Sequence, residues 1–426
     1  MLLSRNLSGC QVFHADRLPA EWECDPLGER IELCYGRALK DELRKDGHVL
    51  VYGSNGSIGT HNVEWLPAPG IIIGRKGSVG AVHLAKTHYW PIDTAYYLKA
   101  TEGDNFSYLL HLLQYLPLKS LNAATGVPGL SRRDAYALRG SFPRQPLEQA
   151  AIAHILDAVD TAIERARSAV DEAEVLVRSL IQSCFEYGLD ANGRIRSERC
   201  IEDGFTESEI GLLPPNWTVK RLSEVAHVER GKFTPRPRND PRFYNGAYPF
   251  LQTGEIARAK GRIVNDFTQS LNEAGKAVSR EFPKGTIIIT IAANIGETAI
   301  LGRPMCAPDS LVGVQVYEPN SPRFIELCLR RLRPRLQAIA PRSAQANINL
   351  TTLRPLRIPV PNDPEEQLRI AALVDEASEY RDYIAEKVMA LLQLKKSLMH
   401  DLLTGRVRVP TNLTESEPTI PPQAEL

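Results

Sequence analysis

The chain carries nearly the same stretch twice. Residues 143–160, "PRQPLEQAAIAHILDAVD", and residues 361–378, "PNDPEEQLRIAALVDEAS", align without a gap although they lie more than 200 residues apart. Pro143 falls on Pro361, Pro146 on Pro364, Glu148-Gln149 on Glu366-Gln367, Ile152-Ala153 on Ile370-Ala371 and Asp157 on Asp375. A repeat on this scale requires a chain built from two copies of one unit. The match extends outward in the same register. "GLSRRDAYALR" (129–139) falls opposite "NINLTTLRPLR" (347–357), and "LVRSLI" (176–181) opposite "LKKSLM" (394–399). Each half opens on Pro-x-x-Trp, "LPAEW" ending at Trp22 and "LPPNW" ending at Trp217. Each then runs through a mixed globular region into a Pro-led helix, with the second globular region about twenty residues the longer.

The Pro-led segments have the start signals of helices. In the second, Asp363 is placed to cap, Pro364 to occupy the first helical position and Glu366 to complete a capping box. Gln145 holds the cap position of the first. Apolar residues then recur at alternating spacings of three and four. Ile152, Ile155, Val159, Ala162, Ala166, Ala169, Ala173, Leu176 and Leu180 form one seam. Ile370, Leu373, Ala377, Tyr380, Ile384, Leu391, Leu394 and Leu398 form the other, broken at Lys387. This is a coiled-coil pattern over about four heptads. An alanine-rich seam facing a bulkier one predicts that the two helices, each about 60 Å long, pair with each other, antiparallel.

The globular regions read as short β-branched runs bounded by Gly, Pro and Asn, such as "GHVLVYGSNGSIGTHN", "APGIIIGRKGSVGAVHL" and "PKGTIIITIAANIGETAIL". The expectation is an α+β chain. A first β-rich domain spans residues 1–142 and a helix 143–188, followed by a polar linker at 189–214. A second domain covers 215–360, a second helix 361–406 and a disordered tail 407–426.

Net charge is zero, with 51 basic and 51 acidic residues, but it is unevenly placed. Residues 217–346 carry an excess of roughly +9, offset by acidic runs in the helices such as "DEASEYRD". A basic middle between acidic helices suits a polyanion site confined to part of the molecule. The seven scattered cysteines form no CxxC pair, and the first residues lack a signal-peptide pattern, so a reducing cytoplasm is expected.

Catalytic signatures are missing. "GSNGSIG" and "GRKGSVG" lack the Walker pattern and lead into no helix that could cradle a phosphate. The nine histidines show no zinc-binding spacing, and "LLPPNW" is not an amino-methyltransferase motif. Asp93 and Asp309 fall at matching places after the strand pairs and read as turn residues that bond backbone. The candidate contacts to nucleic acid are Asn55, His61, Arg75 and Lys76 in the first domain. In the second they are Lys232, Arg236, Arg238, Thr253, Arg258, Lys260, Arg342, Gln345 and Asn347. Competing readings are a DNA methyltransferase or nucleotide-dependent enzyme in its own right, and a coiled-coil scaffold without DNA affinity.

The layout resembles the specificity subunit of type I restriction-modification systems. The residues that carry the likeness are "VYGSNGSIGTHN", "PGIIIGRKGSVGAV" and "WPIDTAYYL" in the first half. In the second they are "GLLPPNW", "FPKGTIIIT", "NINLTTLRPLRIPVP" and "LLTGRVRV", with the Pro-x-x-Glu-Gln helix start in both. Together they reach from Trp22 to Val409. The resemblance implies two target-recognition domains, each reading one half of a split double-stranded DNA sequence, held apart by the two helices. On helices of this length the half-sites would lie within roughly 17 base pairs. It also implies two docked methyltransferase subunits and a restriction endonuclease/translocase subunit, no membrane, and no cofactor in this chain, with S-adenosylmethionine, ATP and Mg on the partner subunits. The second domain has "LQTGEI" where the first has its GSNG turn, so the two half-sites are expected to differ.

Overall fold

The structure, a computed structural model, describes residues 18–100, 103–121, 129–197, 204–292, 294–339 and 347–410. Most of the tail expected to be disordered, residues 411–426, lies outside them, as do Arg342 and Gln345. The chain forms two compact units: residues 1–168 with 385–426, and residues 169–384. Four helices organise them: α1 (Phe106–Tyr115), α2 (Pro146–Tyr187), α3 (Pro322–Ile339) and α4 (Pro364–Leu403). The unit boundary falls inside α2 and inside α4, so each long helix belongs half to each unit.

The two units repeat one topology. In the first, Trp22–Pro26 pairs antiparallel with Arg139–Pro143, Trp22 opposite Pro143. In the second, Trp217–Arg221 pairs with Arg357–Pro361, Trp217 opposite Pro361. A one-turn helix follows, then a sheet. In the first unit its order is Ile31–Tyr35, Ala95–Ala100, Gly70–Gly74, Val82–Ala85. In the second it is Ala226–Arg230, Leu311–Val316, Ile287–Thr290, Thr298–Leu301, Ile263–Val264. A smaller sheet holds a parallel pair in each, Val49–Gly53 with Tyr89–Pro91 and Tyr244–Phe250 with Met305–Ala307. The extra length of the second domain is visible as Ile263–Val264, Arg280–Phe282 and the short helices Thr253–Ala259 and Glu273–Ala277.

The isoleucine runs explain this layering. A strand covered on both faces reads as continuous β-branched sequence rather than an alternation. Ile71 and Ile73 face the cluster that includes α1, while Ile72 faces Tyr52 and Tyr89 on the other side. Ile287 and Ile289 face the α3 cluster and Ile288 the opposite one.

The repeated helix starts act as fasteners. Trp22 Nε1 donates to Glu148 Oε2 at 3.2 Å, and Trp217 Nε1 donates to Glu366 Oε1 at 3.1 Å. Gln149 donates to the carbonyl of Pro143 (3.1 Å) and accepts from the backbone N–H of Asn105, the cap of α1 (2.8 Å). Gln367 donates to the carbonyl of Pro361 (3.2 Å) and accepts from the N–H of Ser321, just ahead of α3 (2.9 Å). Asp157 and Asp375 then tie the same helices further on, through His111 Nε2 (2.8 Å) and Arg323 Nε (2.8 Å). The sequence expectation for Glu366 was a capping box. Asp363 does cap, accepting from Glu365 N at 2.9 Å, but Glu366 turns inward to Trp217 and the Leu189 N–H because it is buried.

Each long helix ends on the opening of the other repeat. Gly188 and Gly405 follow α2 and α4 with φ of +68° and +69°. A Cβ on Gly188 would come 2.7 Å from Pro214, and one on Gly405 2.5 Å from Pro19. Only glycine combines that left-handed turn with that approach. Pro19 and Pro214 are the prolines of the two Pro-x-x-Trp motifs.

Within each unit the helix pairing is antiparallel. In the first, Ile152 and Leu156 of α2 share a core with Met399 and Leu402 of α4; in the second, Val177 and Ile181 share one with Ile370 and Val374. The seam itself is shifted from the expected one. Alternate positions lie one residue later: Val374, Arg381, Val388 and Lys395 turn inward, while Tyr380 is 58% exposed and Leu394 47%. In α2 the shift brings in Leu156, Ile163, Val177 and Ile181 and leaves Leu176 53% exposed, with Ala166 and Ala169 half-buried. The pattern reading placed Tyr380 and Leu394 inside because they are apolar. The helices instead bury Arg381 and turn Lys395 inward, part-buried, to pair with Asp160 at 2.7 Å.

The stretch expected to be a polar linker contains a hairpin, Thr206–Ser208 with Gly211–Leu213. Leu189, Phe205 and Leu213 are its buried anchors, three apolar residues too dispersed to show as a periodic pattern.

Candidate nucleic-acid interface

In the first unit the two glycine segments meet. Gly74 lies so near the Ser54 carbonyl that a Cβ would come within 2.7 Å of it, and Gly77 faces Ser54 Oγ. Asn55 at the tip of the Val49–Gly53/Gly56–His61 hairpin is thereby brought onto the side of the turn that carries Arg75 and Lys76; Asn55 and Lys76 are exposed. Arg75 is held in place. Its Nη1 donates to the Asp93 carbonyl at 3.0 Å, and its guanidinium lies 4.8 Å from the ring centre of Tyr35. Arg132 lies over the same ring at 4.4 Å, so Tyr35 holds two cations. His61 behaves differently. It is 7% exposed, packs edge-on against Trp90 and accepts from the Lys45 N–H at 3.3 Å, so it is a packing residue in this hairpin.

In the second unit the equivalent face opens into a cup of about 690 Å³. Its polar lining includes Arg238, Asn239, Asn245, Gln252, Thr253 and Gln269, over an aromatic base of Phe233, Tyr244 and Phe250. Arg238 Nη2 donates to Asp309 Oδ1 at 2.6 Å, and Arg236 reaches the other oxygen at 3.6 Å. Asp309 thus fixes an arginine, as the Asp93 backbone does in the first unit. Gln252 Nε2 donates to Gln269 Oε1 at 2.9 Å, which orients two amides side by side. Burial raises the Tyr244 hydroxyl above the usual tyrosine value, opposed by Arg238, so it stays a donor, to the Arg238 carbonyl.

Of the residues expected from sequence, Arg238 and Thr253 line the cup, Arg236 joins through Asp309, and Asn347 bridges to Ala292 on its edge. Lys232 is exposed, its backbone tied to Ala307. Lys260 caps the far end of the helix Thr253–Ala259, away from the cup, whereas Arg258, in its last turn, reaches back with Nη1 to Gly254, beside Thr253. The amides Asn239, Asn245, Gln252 and Gln269 were missed. Their only signal was the "LQTGEI" segment standing where the first half has its glycine turn. Amide and guanidinium groups on a rigid aromatic base are the donor–acceptor sets that match base edges.

A family model described as the type I restriction modification DNA specificity domain matches residues 19–171 and again residues 214–388. The chain belongs to that family. This specificity subunit is 24% identical over 310 residues to the putative type I restriction enzyme MjaX specificity subunit of Methanocaldococcus jannaschii, a stretch covering 71% of this chain and 68% of that one. It is 27% identical over 192 residues to the MjaIX specificity subunit of the same organism, covering 44% of this chain and 43% of that one, under half its length. An S subunit structure from M. genitalium superposes with TM-score 0.60 at 15% identity, covering 95% of this chain and 98% of that one. A chain from a structure on complex assembly and conformational transition of the type I R-M system gives 0.55 at 17%, covering 92% and 99%. These likenesses establish the fold, two β-rich domains joined by long helices.

Proposed function

We propose that this specificity subunit, whose role is DNA target recognition, reads a bipartite and asymmetric sequence, one half per domain. The observation that carries this is one topology presenting two different polar faces: a glycine-turn face with Asn55, Arg75 and Lys76, and an amide-lined cup with Arg238 and Gln252. Identical frames with different readers fit two unlike half-sites. His61 is left out of the reading set because it is buried.

The chain itself is non-catalytic in this proposal. Methylation and cleavage belong to partner subunits, two methyltransferase copies and one restriction subunit, which carry S-adenosylmethionine, ATP and Mg. Support for docking along the helices comes from α4, which leaves Tyr380 and Tyr383 exposed in one unit and Met389 and Leu394 in the other. No described helix is long and apolar enough to cross a membrane.

The test is methylation mapping with the assembled complex. Arg238→Ala with Gln252→Ala should relax base choice in one half of the methylated sequence, each lost bidentate contact worth about 1–3 kcal/mol of discrimination. Asn55→Ala with Lys76→Ala should leave that half alone. A methylated sequence identical to wild type in both double variants would contradict the assignment of these faces.

A further inference from the structure

A second concavity in the unit 169–384 is built from charge that the cup does not use. It encloses about 740 Å³ between the later part of α2, α3, α4 and the end of the helix Thr253–Ala259. Six cations line it, Arg178, Lys260, Arg330, Arg331, Arg333 and Arg381, against the carboxylates Glu174, Glu186 and Glu297. Two of those carboxylates are paired with its cations, Glu297 with Arg333 (2.6 Å) and Glu174 with Lys260 (3.6 Å), and Glu186 accepts from Gln182 Nε2 (3.1 Å). Arg330 is turned toward Glu326 at 3.2 Å, and its Nε, like that of Arg333, is buried with no hydrogen-bond partner. Arg331 lies over the Phe185 ring at 5.3 Å.

Arg381 is the telling member. It is 8% exposed and occupies a seam position where its heptad neighbours are Val374, Ile384 and Val388. Its Nε and Nη2 donate to Asp382, the next residue in the chain, at 2.8 and 2.6 Å. Burial holds its guanidinium below the usual arginine value; Glu174 works against this and Arg262 and Arg330 add to it. Asp382 and Glu174 offset part of that charge, but Arg262 and Arg330 add to it, and the buried Nε atoms of Arg330 and Arg333 still lack an acceptor that an anion in the cavity would supply. An apolar side chain would satisfy the seam, so packing does not explain an arginine there.

We infer that this cavity binds a phosphate group, held by the buried Arg381 together with Arg330, Arg331 and Arg333. Guanidinium forks match phosphate oxygens in geometry as well as charge. The source that fits the fold is the DNA backbone. The helix Thr253–Ala259 starts in the cup at Thr253 and ends at this cavity, where Ala257 and Lys260 line the wall. Its seven residues span about 10 Å, so a duplex read in the cup carries phosphates within reach of the arginines. In that form the inference rests on the proposed reading of DNA; a free phosphate-bearing ligand is the other source of the same chemistry.

The experiment compares full-length wild type with Arg331→Gln, a change at an exposed residue, and Arg381→Met, which keeps the buried hydrocarbon. Binding to a duplex of arbitrary sequence is followed across a salt series, and urea unfolding is followed with and without inorganic phosphate at constant ionic strength. A backbone site predicts that each variant lowers the salt slope by about one unit. A site for a free phosphate-bearing ligand predicts that phosphate raises the wild-type urea midpoint and not that of either variant, with the slopes unchanged. Wild type that fails to bind DNA at all would count against the DNA reading, while the phosphate arm still reports on the cavity. Variants that match wild type in both salt slope and phosphate response would overturn the inference.

Discussion

The two units agree where they are fastened and differ where they face outward. Trp22 and Trp217 meet the same glutamate of the repeat, Gln149 and Gln367 bind the same strand carbonyl and the same helix start, and Gly188 and Gly405 pack on equivalent prolines. The hairpin tip at Asn55 has no such counterpart in the second unit, where a helix and an amide-lined cup stand instead. A frame held by buried polar bonds tolerates replacement of what it displays, because those bonds do not pass through the displayed face. On the proposed reading, half-site specificity would then change without unfolding the frame.

The largest effect should come from removing the tryptophans. Trp22→Ala and Trp217→Ala each delete a buried ring and one hydrogen bond to a buried glutamate, costing about 3–5 kcal/mol. Urea unfolding should show comparable losses; a large loss in one and none in the other would break the claim of a common frame. Gln149→Leu and Gln367→Leu come next. Each leaves a buried carbonyl and a helix-start N–H unpaired, for about 1–3 kcal/mol, and hydrogen exchange should localise the loosening to α1 and α3 respectively. Equal exchange in both helices after either change would show the fasteners are not local.

A third change probes an asymmetry. Glu148 is also held by Arg408, whose Nη2 donates to it at 3.0 Å and whose Nη1 donates to Glu21 at 2.9 Å, whereas Glu366 has the Leu189 N–H in that role. Arg408→Met should weaken protection in the unit 1–168/385–426 by about 1 kcal/mol, since the arginine is half exposed, and leave residues 169–384 as they were. The smallest effect concerns Asp157. Burial alone would raise its carboxyl, but the hydrogen bond and charge of His111 outweigh that and hold it below the usual carboxylate value. Its contribution is therefore present above the ordinary value of about 3.9 and lost as pH falls through the lower folded value. Asp157→Asn should narrow the gap to wild type in acid and not at neutral pH, as read by urea midpoints across the series.

Much of this was legible in the sequence. The repeat, the two long helices, the strand-rich segments and the α+β class followed from periodicity and punctuation, because those signals are local. The seam phase was not, because choosing the apolar member of each adjacent pair favoured Tyr380 over Arg381 and Leu394 over Lys395. Hydrophobicity cannot show that a charge is turned inward to meet Asp160. His61 misled for a related reason, since its role depends on Trp90, distant in sequence. Of the cup, Arg238 and Thr253 were legible but its amides were not, because Asn239, Asn245 and Gln252 are spaced without a period and Gln269 comes from a separate strand.

The most direct test of independent reading is an exchange of one displayed face. Residues 217–347 are replaced by the equivalent segment of another type I specificity subunit, and the product is assembled with its methyltransferase. Genome-wide methylation mapping then reads the modified sequence. The account predicts that one half of the sequence changes, while the other half and the spacing between them stay as in wild type. A sequence altered in both halves would contradict it.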